Sequence, residues 1–123
     1  MATACVPPGW PEQVRPPGVP WWEDTAVGWL LDQCPPDYRL YAGLKRHPVV
    51  LARFTALHTE ASIQATQRGI SEARTSLRDV LPTESVEGAI AMWEREGARL
   101  LRVRRAVGLI EEAFRGREFR ARL

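Results

Sequence analysis

Between Pro48 and Phe114 the only proline is Pro82, and it lies close to the midpoint of two long stretches that both carry helical periodicity. Proline removes an amide donor and drives the residue before it away from helical angles, so a helix ends there. The pattern predicts two helices, about 48–81 and 84–114, joined by a turn of a few residues. Helices of that length on so short a connection must lie antiparallel.

In the first stretch Val49, Ala52, Ala56, Thr59, Ile63, Thr66, Ile70, Ala73, Leu77 and Val80 alternate steps of three and four. This is a seam of coiled-coil type, softened by Ala and Thr. In the second the seam is Val86, Ile90, Trp93, Gly97, Leu100, Val103, Val107, Ile110 and Phe114. Extra apolar residues sit at Val50, Phe54, Leu57 and Ala61 in the first half of one helix, and at Leu101, Leu109 and Ala113 in the second half of the other. An antiparallel hairpin brings these broad halves together as a thick base and leaves a thinner tip at Pro82. Pairing residues whose numbers total 163 puts Thr66 by Gly97 and Ile70 by Trp93. Gly97 is expected to permit close packing and Gly69 to mark a kink. Ile70, Leu77, Ile90 and Trp93 are expected to stay partly wet at the tip, where a second copy would cover them in a homodimer, as a four-helix bundle.

Upstream, helices are expected over about 23–34 and 37–45, the first ended by Pro35-Pro36. Residues 1–22 hold six of the ten prolines and three of the five tryptophans, so they form neither regular helix nor central strand. An extended strap with turns at Gly9 and Gly18 is expected. Trp10, Trp21 and Trp22 then either bury against the bundle or serve as anchors for another protein. The fold class is all-α: a long helical hairpin, two short helices before it, and a Pro/Trp-rich strap over residues 1–22, with 23–114 as the helical domain and 115–123 as a basic tail.

The net charge of +2 is unevenly placed. Residues 1–47 carry four basic and five acidic groups, residues 48–114 nine of each, and residues 115–123 four and one. Arg95, Arg99 and Arg102 share one face of the last helix. With Arg115, Arg117, Arg120 and Arg122 of the tail they form the alternative reading, a regulatory protein that touches nucleic-acid phosphates. Arginine supplies all basic residues but Lys45 and asparagine is absent, as GC-rich bacterial coding favours, so arginine alone is no sign of recognition.

Spacing selects no catalytic site. His47 and His58 are three helical turns apart, no Glu-x-x-His pair exists, and no phosphate loop or nucleophile elbow is present. Cys34 reads as a reduced thiol at a helix end. No cofactor, metal or membrane span is expected, and the cytoplasm is the expected compartment. The runs Trp29-Leu-Leu-Asp-Gln-Cys-Pro-Pro-Asp-Tyr38 and Arg46-His-Pro-Val-Val50 resemble those of small all-helical proteins of high-GC actinobacteria, a resemblance that implies no activity. The function expected is a non-catalytic interaction or scaffold protein, with Trp10, Trp21, Trp22, Ile70, Leu77, Ile90 and Trp93 as its contact residues.

Overall fold

The computed structural model describes residues 6–116; Cys5, Arg117, Arg120 and Arg122 lie outside the described residues. The described chain is helical: α1 (Trp22–Asp32), a 3-10 turn (Pro36–Leu40), α2 (Ala42–Arg46), α3 (Pro48–Ser76) and α4 (Thr83–Phe114). Helices α3 and α4 form the antiparallel hairpin. Glu23 and Asp24 place negative charge in the first turn of α1, where the helix dipole favours it. Pro48 opens α3 as a first-turn proline, where its missing donor costs nothing. The expected helix over 37–45 divides in two because Tyr41 is extended, at φ −90° and ψ 97°.

Helix α3 ends at Ser76, five residues short of the expected 81. Residues 77–81 close into tight turns, with the amides of Val80 and Leu81 donating to the Leu77 carbonyl at 3.1 and 3.0 Å. Leu81 precedes a proline, which disfavours helical angles there, and the chain has already left the helix at Leu77, φ −109° and ψ −13°. Val80, assigned to the seam, is consequently 72% exposed. Pro82 is the residue before α4, and its carbonyl accepts the amides of Ser85 and Val86.

Register is marked by three ion pairs between the long helices: Arg53 with Glu111 at 2.9 Å, Glu60 with Arg104 at 3.5 Å, and Arg74 with Glu87 at 2.8 Å. A Cβ on Gly97 would lie 3.6 Å from Thr66 Cγ2, ordinary contact, so these two face each other as the spacing predicts. Facing residue numbers total 164 toward the base, 163 at Thr66 and Gly97, and 161 toward the tip. Signs along the ladder alternate on each helix. Slipping one heptad would set Arg53 beside Arg104, a like-charge contact.

Two buried clusters hold the molecule. The base cluster joins Val14, Ala26, Leu30, Leu31, Leu44, Leu51, Ala52, Val103, Val107 and Ile110. Trp22 stacks on Phe114 at 5.1 Å at its lower edge, and Cys34, just past α1, meets Thr55. Helix α1 therefore runs beside α3 from the base toward the middle, and the tip half of the hairpin lacks this third helix. There a smaller cluster forms from Ala73, Val86 and Ile90 with Ile70, Leu77 and Trp93 packed on it. Between the clusters lies a waist of Ile63, Thr66 and Leu100, all buried. The buried hydroxyls of Thr55 and Thr59 donate to carbonyls four residues back, at 2.8 Å each, so neither is left unsatisfied.

The strap is built from turns. In Pro7-Pro8-Gly9-Trp10 and again in Pro16-Pro17-Gly18-Val19 the fourth amide donates to the first carbonyl at 3.1 Å. Proline at the second place and glycine at positive φ in the third, 98° and 86°, make both type II turns. Arg105 Nε donates to the Pro8 carbonyl at 2.9 Å, and a Cβ on Gly9 would lie 2.7 Å from that same nitrogen. Glycine is required at position 9 for its angle, and a side chain there would also displace the passing guanidinium.

Candidate interaction surface

The three strap tryptophans have separate fates. Trp10 packs on the base cluster and its indole N–H donates to the Val14 carbonyl at 2.8 Å. Val14, which no periodicity singled out, is buried at 2% exposure as the strap's own core residue. Trp22 is spent on Phe114. Trp21 remains 70% exposed and holds a left-handed backbone, φ 69°, immediately before α1. That conformation costs a non-glycine residue about 1 kcal/mol or more, and Thr25 steadies the corner by accepting the Arg15 amide at 3.0 Å while donating to the Trp22 carbonyl.

Of the tip residues expected to stay partly wet, Ile70, Leu77 and Trp93 do so and Ile90 does not, and all four join one cluster. Ile90 is buried at 4% exposure, with Ile70, Leu77 and Trp93 half-buried around it. The pressure for a second copy at that end is reduced accordingly. Gly69 contributes, since a Cβ there would lie 2.5 Å from Trp93 Cε2. The glycine leaves a slot for the indole in a helix that continues through it, where a kink was expected.

The broad apolar face of α3 is the main departure from expectation. Val50, Phe54 and Leu57 are 43, 42 and 65% exposed, although their spacing suggested burial at the base. At 100° per residue they point away from the Ala52–Thr59–Ile63 seam. Helix α1 packs instead on the flank carrying Leu51 and Thr55, whose small section lets a helix approach. The face is therefore open to solvent, and Tyr38 borders it. Its ring meets Phe54 edge-on at 5.8 Å, His58 at 6.1 Å and Tyr41 at 6.3 Å. Leu40 and Tyr41 beside it are exposed too. Exposed apolar residues gathered on one helix face, unlike ones scattered singly, are candidates for an interaction site.

Of the stripe Arg95, Arg99 and Arg102, one member is committed elsewhere, and so are the neighbouring Arg105 and Arg115. Arg99 pairs with Glu96, Arg115 with Glu111, and Arg105 with the strap. Arg95 and Arg102 stand without an ion-pair partner among the described residues, a narrow footing for phosphates. A groove of about 290 Å³ opens between α3 and α4 where α1 stops, lined by Gln33, His58, Ser62, Thr66, Glu96 and Arg99 among others. It is polar and open, with its one carboxylate, Glu96, already paired to its one guanidinium, Arg99.

Cys34 is a donor here. The Thr55 hydroxyl has a single proton, given to the Leu51 carbonyl, so across the 3.2 Å contact the thiol donates to Thr55 Oγ1. Burial pushes the thiol above its ordinary range, against the opposing pull of the Arg39 charge. Such a thiol is a poor nucleophile at neutral pH. Among the described residues no three His, Cys, Asp or Glu gather closely enough to hold a metal, and no helix is long and apolar enough to cross a membrane.

No protein-family model, curated protein or solved structure matches this chain. The surface must be interpreted from its own chemistry.

Proposed function

We propose that the chain is a non-catalytic helical interaction or scaffold protein of the bacterial cytoplasm, which works by presenting the hairpin to another protein or to its own copy. The observation that carries this reading is the open face of α3, where Val50, Phe54 and Leu57 stay in water beside an aromatic border. Each of these side chains is already about half buried, so burying the rest on a partner is favourable by about 1 kcal/mol apiece. The perturbed thiol of Cys34 does not compete as an explanation, because its pKa moves away from reactivity. A reduced thiol also suits the cytoplasm.

The test is affinity capture from cells with the full chain, comparing wild type with a Phe54→Glu/Leu57→Glu variant of unchanged far-UV circular dichroism. The expected result is that captured chains, copies of the protein itself included, are lost from the variant. Equal capture by both rejects the face as the contact.

A further inference from the structure

We propose that the outer face of α3 pairs with the same face of a second copy, the two α3 helices lying antiparallel about a twofold axis between Phe54 and Leu57. This rests on the reading of that face as an interaction surface and names its occupant. The first support is spacing. Val50, Phe54, Leu57 and Ala61 follow steps of four, three and four, a pattern that reads the same in both directions. Antiparallel pairing sets Val50 against Ala61 of the second copy and Phe54 against its Leu57, large beside smaller on each level. Isologous contacts need this self-complementarity.

The second support is charge. Arg53 and Glu60 lie one heptad apart on the same flank of the stripe, with side chains still 51 and 46% exposed. In an antiparallel pair like flanks meet, so Arg53 of each copy stands opposite Glu60 of the other. Each is already paired within its own chain, Arg53 with Glu111 and Glu60 with Arg104. The contact therefore joins two ion pairs into an alternating row of four, formed twice. A parallel pairing would bring Arg53 and Glu60 to the other flank, where His58 and Ala65 offer no opposite charge. The same acid argues against a lipid surface as occupant, since Glu60 interrupts the basic margin an anionic membrane attracts.

The third support is the aromatic border. A specific interface takes about 800 Å² from each partner, more than one four-residue stripe supplies. Tyr38 touches both Phe54 and His58, which places it level with the proposed axis, and Tyr41 extends it outward. Across a twofold axis these rings meet their own copies.

Sedimentation equilibrium of the full chain from ~10 to ~200 µM tests the proposal. The expected outcome is twice the 13.9 kDa chain mass for wild type, a dissociation constant raised about tenfold or more by Leu57→Glu, and no change with Val80→Glu or Met92→Glu at the exposed tip. A monomeric wild type, a dimer that survives Leu57→Glu, or a dimer lost through the tip variants would each overturn it. Should Leu57→Glu fail to fold, Ala61→Arg at another exposed position replaces it. Orientation is checked in a Cys5→Ser/Cys34→Ser background with a short bismaleimide. Mixed Val50→Cys and Ala61→Cys chains crosslink to each other, whereas 50-to-50 and 61-to-61 products would overturn the antiparallel arrangement. A monomeric wild type whose captured proteins still vanish with Phe54→Glu/Leu57→Glu refutes the second copy and leaves the interaction function standing.

Discussion

At Gly69 the usual arithmetic of helix propensity reverses. Alanine in a helix interior is better than glycine by about 1 kcal/mol, and at Gly88, with nothing within 4 Å of the missing Cβ, that gain is open. At Gly69 the same methyl would meet the Trp93 indole at 2.5 Å, and overpacking of this kind costs about 1–3 kcal/mol. Urea denaturation should show Gly88→Ala stabilised by about 0.5–1 kcal/mol and Gly69→Ala destabilised by about 1 kcal/mol or more. Equal effects at the two sites would mean that the slot for Trp93 does not exist. Sequence shows both glycines inside a helical run, but the distinction between them lies in the other helix. Trp21 and Trp22 carry the same lesson: adjacent and identical, one is stacked on Phe114 and the other is left in water by a single left-handed residue.

Among the elements, prolines and periodicity made the hairpin legible, because both act locally. Pro35-Pro36, Pro48 and Pro82 all fall at boundaries, and the Thr66–Gly97 pairing followed from the seams. The open stripe on α3 was not legible. Period alone says that Val50, Phe54, Leu57 and Ala61 share a face, and cannot say whether a neighbour lies over it. The strap turns were half legible: the repeated Pro-Pro-Gly marks the turns, but Val14 becomes a core residue through contacts with distant elements, the strap being held by Arg105 on Pro8 and by Thr25 on Arg15. The ladder between the helices adds a titration. Arg74 donates two hydrogen bonds to Glu87 and holds its carboxyl below the usual range. A carboxyl lowered in the folded state contributes its stability above the ordinary glutamate pKa and loses it as pH falls through the lowered value. Carbon-detected NMR should find Glu87 titrating below an unpaired glutamate, and Arg74→Gln should return it to the ordinary range. Both groups are exposed, so the effect is local to the tip.

For the molecule as a whole, the two clusters are unequal. The base has α1, α2 and the strap to close it, while the tip relies on six side chains of the hairpin itself. The strap is clasped to α4 in the base half, where Arg105 holds Pro8, and α4 ends beside Trp22. Both ends of the described chain thus leave from the same half of the hairpin. Under mechanical load applied through those ends, α3 and α4 are pulled apart from the base. The stronger cluster is met first. Once it yields, the tip cluster joins two helices too weakly supported to stand alone. Force spectroscopy should record one rupture where the presence of two clusters suggests two, and a hairpin so tethered would act as a latch that opens all at once.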